Sequence, residues 1–93
     1  MLLNDEFVLL QSRLLAERVV HEAGSDLPAE VKLLYKIALS RQPTEKELRD
    51  DLEFVNREGA QAAQARPEED TQLSAMSRLA HVMLNSNEFV YIN

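Results

Sequence analysis

Five residues cut this chain into helix-sized pieces. Across 93 residues there are only two glycines and three prolines, at Gly24, Pro28, Pro43, Gly59 and Pro67. Gly is the usual helix stop, and Pro cannot continue a helix interior but fits a first turn. The stretches between these breaks show no strand-like alternation of apolar and polar residues. The expected fold is therefore all-α, a compact four-helix arrangement with a short C-terminal helical turn, forming a single domain over residues 1–93.

Capping signals fix most boundaries. Helix 1 is expected from Asn4, with Asp5 and Glu6 placing acid in the first turn and Leu3 and Val8 spaced as a hydrophobic staple. It ends near Ala23, before Gly24. Helix 2 begins around Asp26 to Pro28 and runs to about Ser40. Helix 3 has the clearest start: in "PTEKE", Thr44 and Glu47 form a capping box. It ends either at Gly59 or, carried by "AQAAQA", near Ala65. Helix 4 is expected to open at Pro67, with Glu68, Glu69 and Asp70 as its acidic first turn, and to end near Asn85. Ser86 then caps a last turn through Phe89. That ending, "LNSNEFV", echoes the opening "LNDEFV". Each pairs a capping residue with an aromatic three residues on, Asn4 with Phe7 and Ser86 with Phe89. Phe89 and Tyr91 are the expected anchors of the tail.

At about 100° per residue, helices 3 and 4 divide cleanly into faces. Leu48, Leu52 and Val55 line one side of helix 3, and Phe54 falls off that stripe. Leu73, Met76, Leu79, Ala80, Met83 and Leu84 cover one side of helix 4, opposite Ser74, Ser77, Arg78 and His81. Helix 2 carries Val31, Leu34, Tyr35 and Ala38 on its main face and Leu33 and Ile37 on a flank. Helix 1 has two stripes. Val8, Leu15, Ala16 and Val19 form one; Phe7, Leu10 and Leu14, extended by His21, form the other. Either helix 1 is central, or its second stripe covers something outside this chain. The four residues of that stripe are the candidate interaction surface. In isolation such a stripe predicts a weak two-fold homodimer.

Composition excludes several function classes. The net charge is −6 and no Lys/Arg cluster is present, which argues against nucleic acid and against anionic membrane surfaces. No apolar run approaches the roughly 18 residues of a span, so membrane insertion is not expected. Cysteine is absent, removing disulfides, thiolate nucleophiles and Cys-ligated metals. Two histidines, His21 and His81, without a third ligand at defined spacing make no metal motif. The acidic clusters Asp5-Glu6, Asp50-Asp51 and Glu68-Glu69-Asp70 fall on first turns or solvated faces, so no catalytic residue, metal or cofactor is assigned. Arg41 is placed to bond the last carbonyls of helix 2 or an acid on helix 3.

"LLNDEFVLLQSRLLAERV", "LLYKIALSRQPTEKEL" and "HVMLNSNEFVYIN" occur in an order and spacing that resembles the C-terminal end of large planctomycete proteins. Those are built from paired domains of unknown function, often with a cytochrome-c-like domain near the N-terminus. Ser40 departs from the Gly common there. The resemblance implies that the chain is the C-terminal fragment of a much longer, exported protein, and that its partner is the remainder of that polypeptide. It carries no catalytic residue over to any position. Two roles are consistent with it: a structural or interaction module, or an accessory part of a redox or polysaccharide-processing enzyme whose active site lies elsewhere.

Overall fold

The computed structural model describes residues 5–66 and 70–86. It contains α1 (Asp5–Ala23), α2 (Leu27–Leu39), α3 (Glu45–Ala65) and α4 (Thr71–Leu84), with no strand among the described residues. The fold is all-α, as expected. The Asn4 cap, its staple with Leu3, the turn from Ser86 to Phe89 and the anchors Phe89 and Tyr91 lie outside the described residues.

The ends of the helices follow their local chemistry. Asp26 caps α2, its carboxylate accepting from the Ala29 N–H at 3.4 Å. The other end of α2 closes on Ser40 at φ 58°, ψ 32°, with its N–H bonded to the Lys36 carbonyl. This is the left-handed conformation that glycine adopts at no steric cost and serine does not. Gly24, at φ +71°, serves the same purpose after α1. Helix α3 continues through Gly59 to Ala65, so the longer of the two expected ends is observed. Helix α4 begins later than expected. Asp70 is its N-cap, accepting from the Leu73 N–H at 3.1 Å, rather than part of an acidic first turn after Pro67. An aspartate in extended conformation can satisfy an orphan N–H at the helix start, which the same residue one turn inside the helix cannot.

Between α2 and α3 the chain is locked by charge. Thr44 and Glu47 form the capping box, with bonds of 3.1 Å and 2.9 Å. Arg41 donates to both oxygens of Glu47 at 2.8 Å and lies 5.3 Å from the centre of the Tyr35 ring. Of its two expected partners, Arg41 thus takes the acid on α3.

Helix α4 packs against α1, α2 and α3, whereas α1 packs on α2 and α4. The core joins Val8, Ala16 and Val19 of α1 to Val31, Leu34, Tyr35 and Ala38 of α2, Val55 of α3 and Met76, Leu79, Ala80 and Met83 of α4. Each large aliphatic side chain withdrawn from water contributes about 1.5–3 kcal/mol. Phe54, off the expected stripe, is nonetheless half-buried against this core, with Arg57 5.8 Å from its ring centre.

Three substitutions test the hairpin. Thr44→Ala is expected to cost about 1 kcal/mol, and combining it with Glu47→Ala to cost less than the sum, because the box bonds are reciprocal. Ser40→Gly is expected to stabilise by about 1 kcal/mol through relief of the left-handed backbone. Urea midpoints of the variants measure both effects; an unchanged midpoint for Ser40→Gly contradicts the strain argument.

Candidate functional site

Helix α1 is buried on one side only. Val8, Ser12, Ala16 and Val19 recur at intervals of three and four residues and are enclosed by α2 and α4. The polar member, Ser12, is accommodated because its hydroxyl donates to the Val8 carbonyl at 2.6 Å. On the other side Phe7 is 51%, Leu10 56% and Leu14 50% exposed, and His21 is exposed with them. The structure therefore brings the four candidate interaction residues together on the outward face of one helix. The i, i+4 pairs Arg18–Glu22, at 2.6 Å, and Arg13–Glu17, at 3.9 Å, lie on the same helix. They are solvated pairs worth little in stability.

Two open grooves border α1. One, of about 390 Å³, runs between α1 and α2 and is walled by Phe7, Leu14, Leu15, Ile37 and Leu84. The other lies between α1, α3 and α4, where Leu9, Phe54 and Val82 meet Arg13, Arg78 and His81. Arg78 is paired there with Glu58 at 3.1 Å.

Two polar sites were not legible as such from the sequence. Glu30, on α2, is fully buried and accepts a bond from the side-chain amide of Gln72 on α4. Its other oxygen, Oε1, has no partner among the described residues. Burial pushes its carboxyl up to about 7, against the pull of the Gln72 bond, and Asp26 and Asp70 add to the rise. The available signal was spacing, since Glu30 stands four residues before the buried Leu34. Asp51 corrects the expectation of a solvated Asp50-Asp51 pair. It is half-buried and accepts the Tyr35 hydroxyl at 2.5 Å. Burial raises its pKa above the usual carboxylate value, and burial likewise raises that of the Tyr35 hydroxyl. Here too the position was readable, because Asp51 lies four residues before Val55.

A raised carboxyl pKa marks catalytic acids, but Glu30 is sealed from solvent and lines neither groove bordering α1. Its burial with one oxygen unpartnered among the described residues carries a structural cost. Among the described residues no three His, Cys, Asp or Glu side chains gather to hold a metal, and no helix is long and apolar enough to cross a membrane. Comparison with protein-family models, with curated proteins and with solved structures gives no match for this chain.

Glu30 and Glu47 give stability a defined pH dependence. The folded pKa of Glu30 lies above the ordinary 4.5, so the stability it contributes is present below that value and is lost as pH rises through about 7. Glu47 is the reverse. The Arg41 bonds, then the Thr44 N–H, lower it to about 2, and its contribution fades as pH falls from 4.5 toward 2. Maximum stability is expected near pH 5. From about pH 5 to about pH 8 the loss should be on the order of 2 kcal/mol, since a tenfold change in proton affinity is worth about 1.4 kcal/mol. Urea unfolding across that range checks it, and Glu30→Gln should flatten the alkaline limb; a slope surviving in that variant assigns it to another group.

Proposed function

We propose that this chain is a non-catalytic helical interaction module that docks through the outward face of α1 onto the preceding domain of a large exported planctomycete protein. The observation that carries the reading is the row Phe7, Leu10 and Leu14, half-exposed along the face of α1 opposite its buried side. Three large apolar side chains held in register by one helix form a continuous strip, and water contact with such a strip is unfavourable in proportion to its area. A helix laid in a groove through anchors at i, i+3, i+4 and i+7 is a recurrent recognition mode, and 7, 10 and 14 fit that spacing. The resemblance of "LLNDEFV" and "HVMLNSNEFVYIN" to segments of that family supports the choice of partner.

Separated from that partner, the same strip should pair with a second copy, giving a weak two-fold dimer. Leu10→Asp places a carboxylate in the strip without touching the core. It should leave helicity by circular dichroism unchanged and abolish the concentration-dependent dimer in sedimentation equilibrium. A wild type that stays monomeric at its highest attainable concentration, and that unfolds on this substitution, would sink the reading.

A further inference from the structure

We propose that the groove between α1, α3 and α4 is a second binding site, which takes an acidic peptide segment with apolar residues at its centre. Arg13 of α1, Arg66 at the end of α3 and Arg78 of α4 line it together with His81. These arginines are scattered along the sequence, and only the packing of the helices gathers them. Glu58 is the one acid among the described lining residues. The groove is therefore a local excess of positive charge on a chain whose net charge is −6.

The arrangement suits a peptide better than a small anion or a nucleic acid. The side chains of Arg13 and Arg78 are 62% and 63% exposed, so their charges stand at the rim, where a lone small anion would remain hydrated and weakly held. Exposed Leu9 and Val82 and half-buried Phe54 supply the apolar part of the lining. An apolar centre with a charged rim is the anatomy of a protein contact, and arginine clusters recognise acidic motifs. A nucleic acid would bring many phosphates against the negative charge of the whole chain, whereas a short acidic segment meets only the field of the groove. The existing ion pairs do not close the site. Arg13 and Glu17 are 3.9 Å apart and solvated. Arg78 meets Glu58 through Nε at 3.1 Å, and a guanidinium carries several further donors for a second carboxylate. None of Phe7, Leu10, Leu14 and His21 lines this groove, so it shares no residue with the docking strip.

Fluorescence anisotropy of a labelled Glu-Glu-Leu-Phe-Glu-Glu peptide, titrated with the full chain, tests it. Saturable binding is expected at low salt, and it should fade toward about 1 M sodium chloride, where the screening length is about 3 Å. The same peptide with Gln in place of each Glu should not bind. Arg13→Glu and Leu9→Ser should each weaken binding several-fold. Both positions are exposed, so circular dichroism and the urea midpoint should stay close to those of the wild type. Leu10→Ser, which interrupts the docking strip, should leave peptide binding unchanged, so that failure of the docking reading and failure of this one are told apart. The proposal is overturned by no saturable binding at low salt, by Arg13→Glu binding as the wild type does, by loss of binding in Leu10→Ser, or by the Gln peptide or a single-stranded oligonucleotide binding as tightly as the acidic peptide.

Discussion

Everything else in this molecule depends on the burial of α4. Ala75, Met76, Leu79, Ala80 and Met83 are almost wholly removed from water, and α4 packs on each of the other helices. Alanine lets a neighbouring backbone approach, and methionine fills the irregular gaps left where helices of different sequence meet. Few aromatics are available to do this, since Phe, Tyr and Trp make up 5% of the chain. With α4 at the centre, α1 becomes a flanking helix. It can bury one stripe against α2 and α4, and its second stripe is left facing outward. The exposed row of Phe7, Leu10 and Leu14 is thus a geometric consequence of which helix took the middle.

The polar interactions divide into those that position and those that cost. Arg41, Thr44 and Glu47 sit at the turn between α2 and α3, partly solvated, and join the end of one helix to the start of the next. A planar guanidinium meeting both oxygens of a carboxylate fixes direction as well as distance. Glu30 is the opposite case. It is enclosed between α2 and α4 with one oxygen unpartnered among the described residues, and its carboxyl responds by holding its proton to about pH 7. The Gln72 amide supplies one hydrogen bond and so lowers the penalty without removing it.

Grooves on either side of α1 differ in character for the same architectural reason. Where α1 meets α2, both helices present aliphatic flanks, and the space between them is lined by Leu15, Ile37 and Leu84. Toward α4 and α3, the helix surfaces carry Arg13, Arg78 and His81, and Glu58 pairs across to Arg78. The two grooves beside the apolar strip thus differ mainly in charge, since both contain exposed or half-buried apolar side chains.

The sequence by itself determined the helices. Capping residues, the few glycines and prolines and the apolar period act over a turn or two, so Asp26, Thr44 with Glu47, and the stop at Ser40 were readable from neighbours alone. The buried faces of α2 and α4 were equally legible, since Val31, Leu34, Tyr35 and Ala38 of α2 and Met76, Leu79, Ala80 and Met83 of α4 lie on the expected sides. The start of α4 was misplaced at Pro67, since an acid near a helix start can be a first-turn residue or the cap itself, and only the backbone distinguishes them. Helix 1 had two apolar stripes, and no local rule says which one a neighbour will cover. Asp51 looked like a solvated acid and Glu30 stood in no acidic cluster, yet each lies one helical turn from a core residue and is carried inward with it. Those outcomes belong to the tertiary structure, because burial depends on which helices meet, and that is settled by the fit of all four surfaces at once.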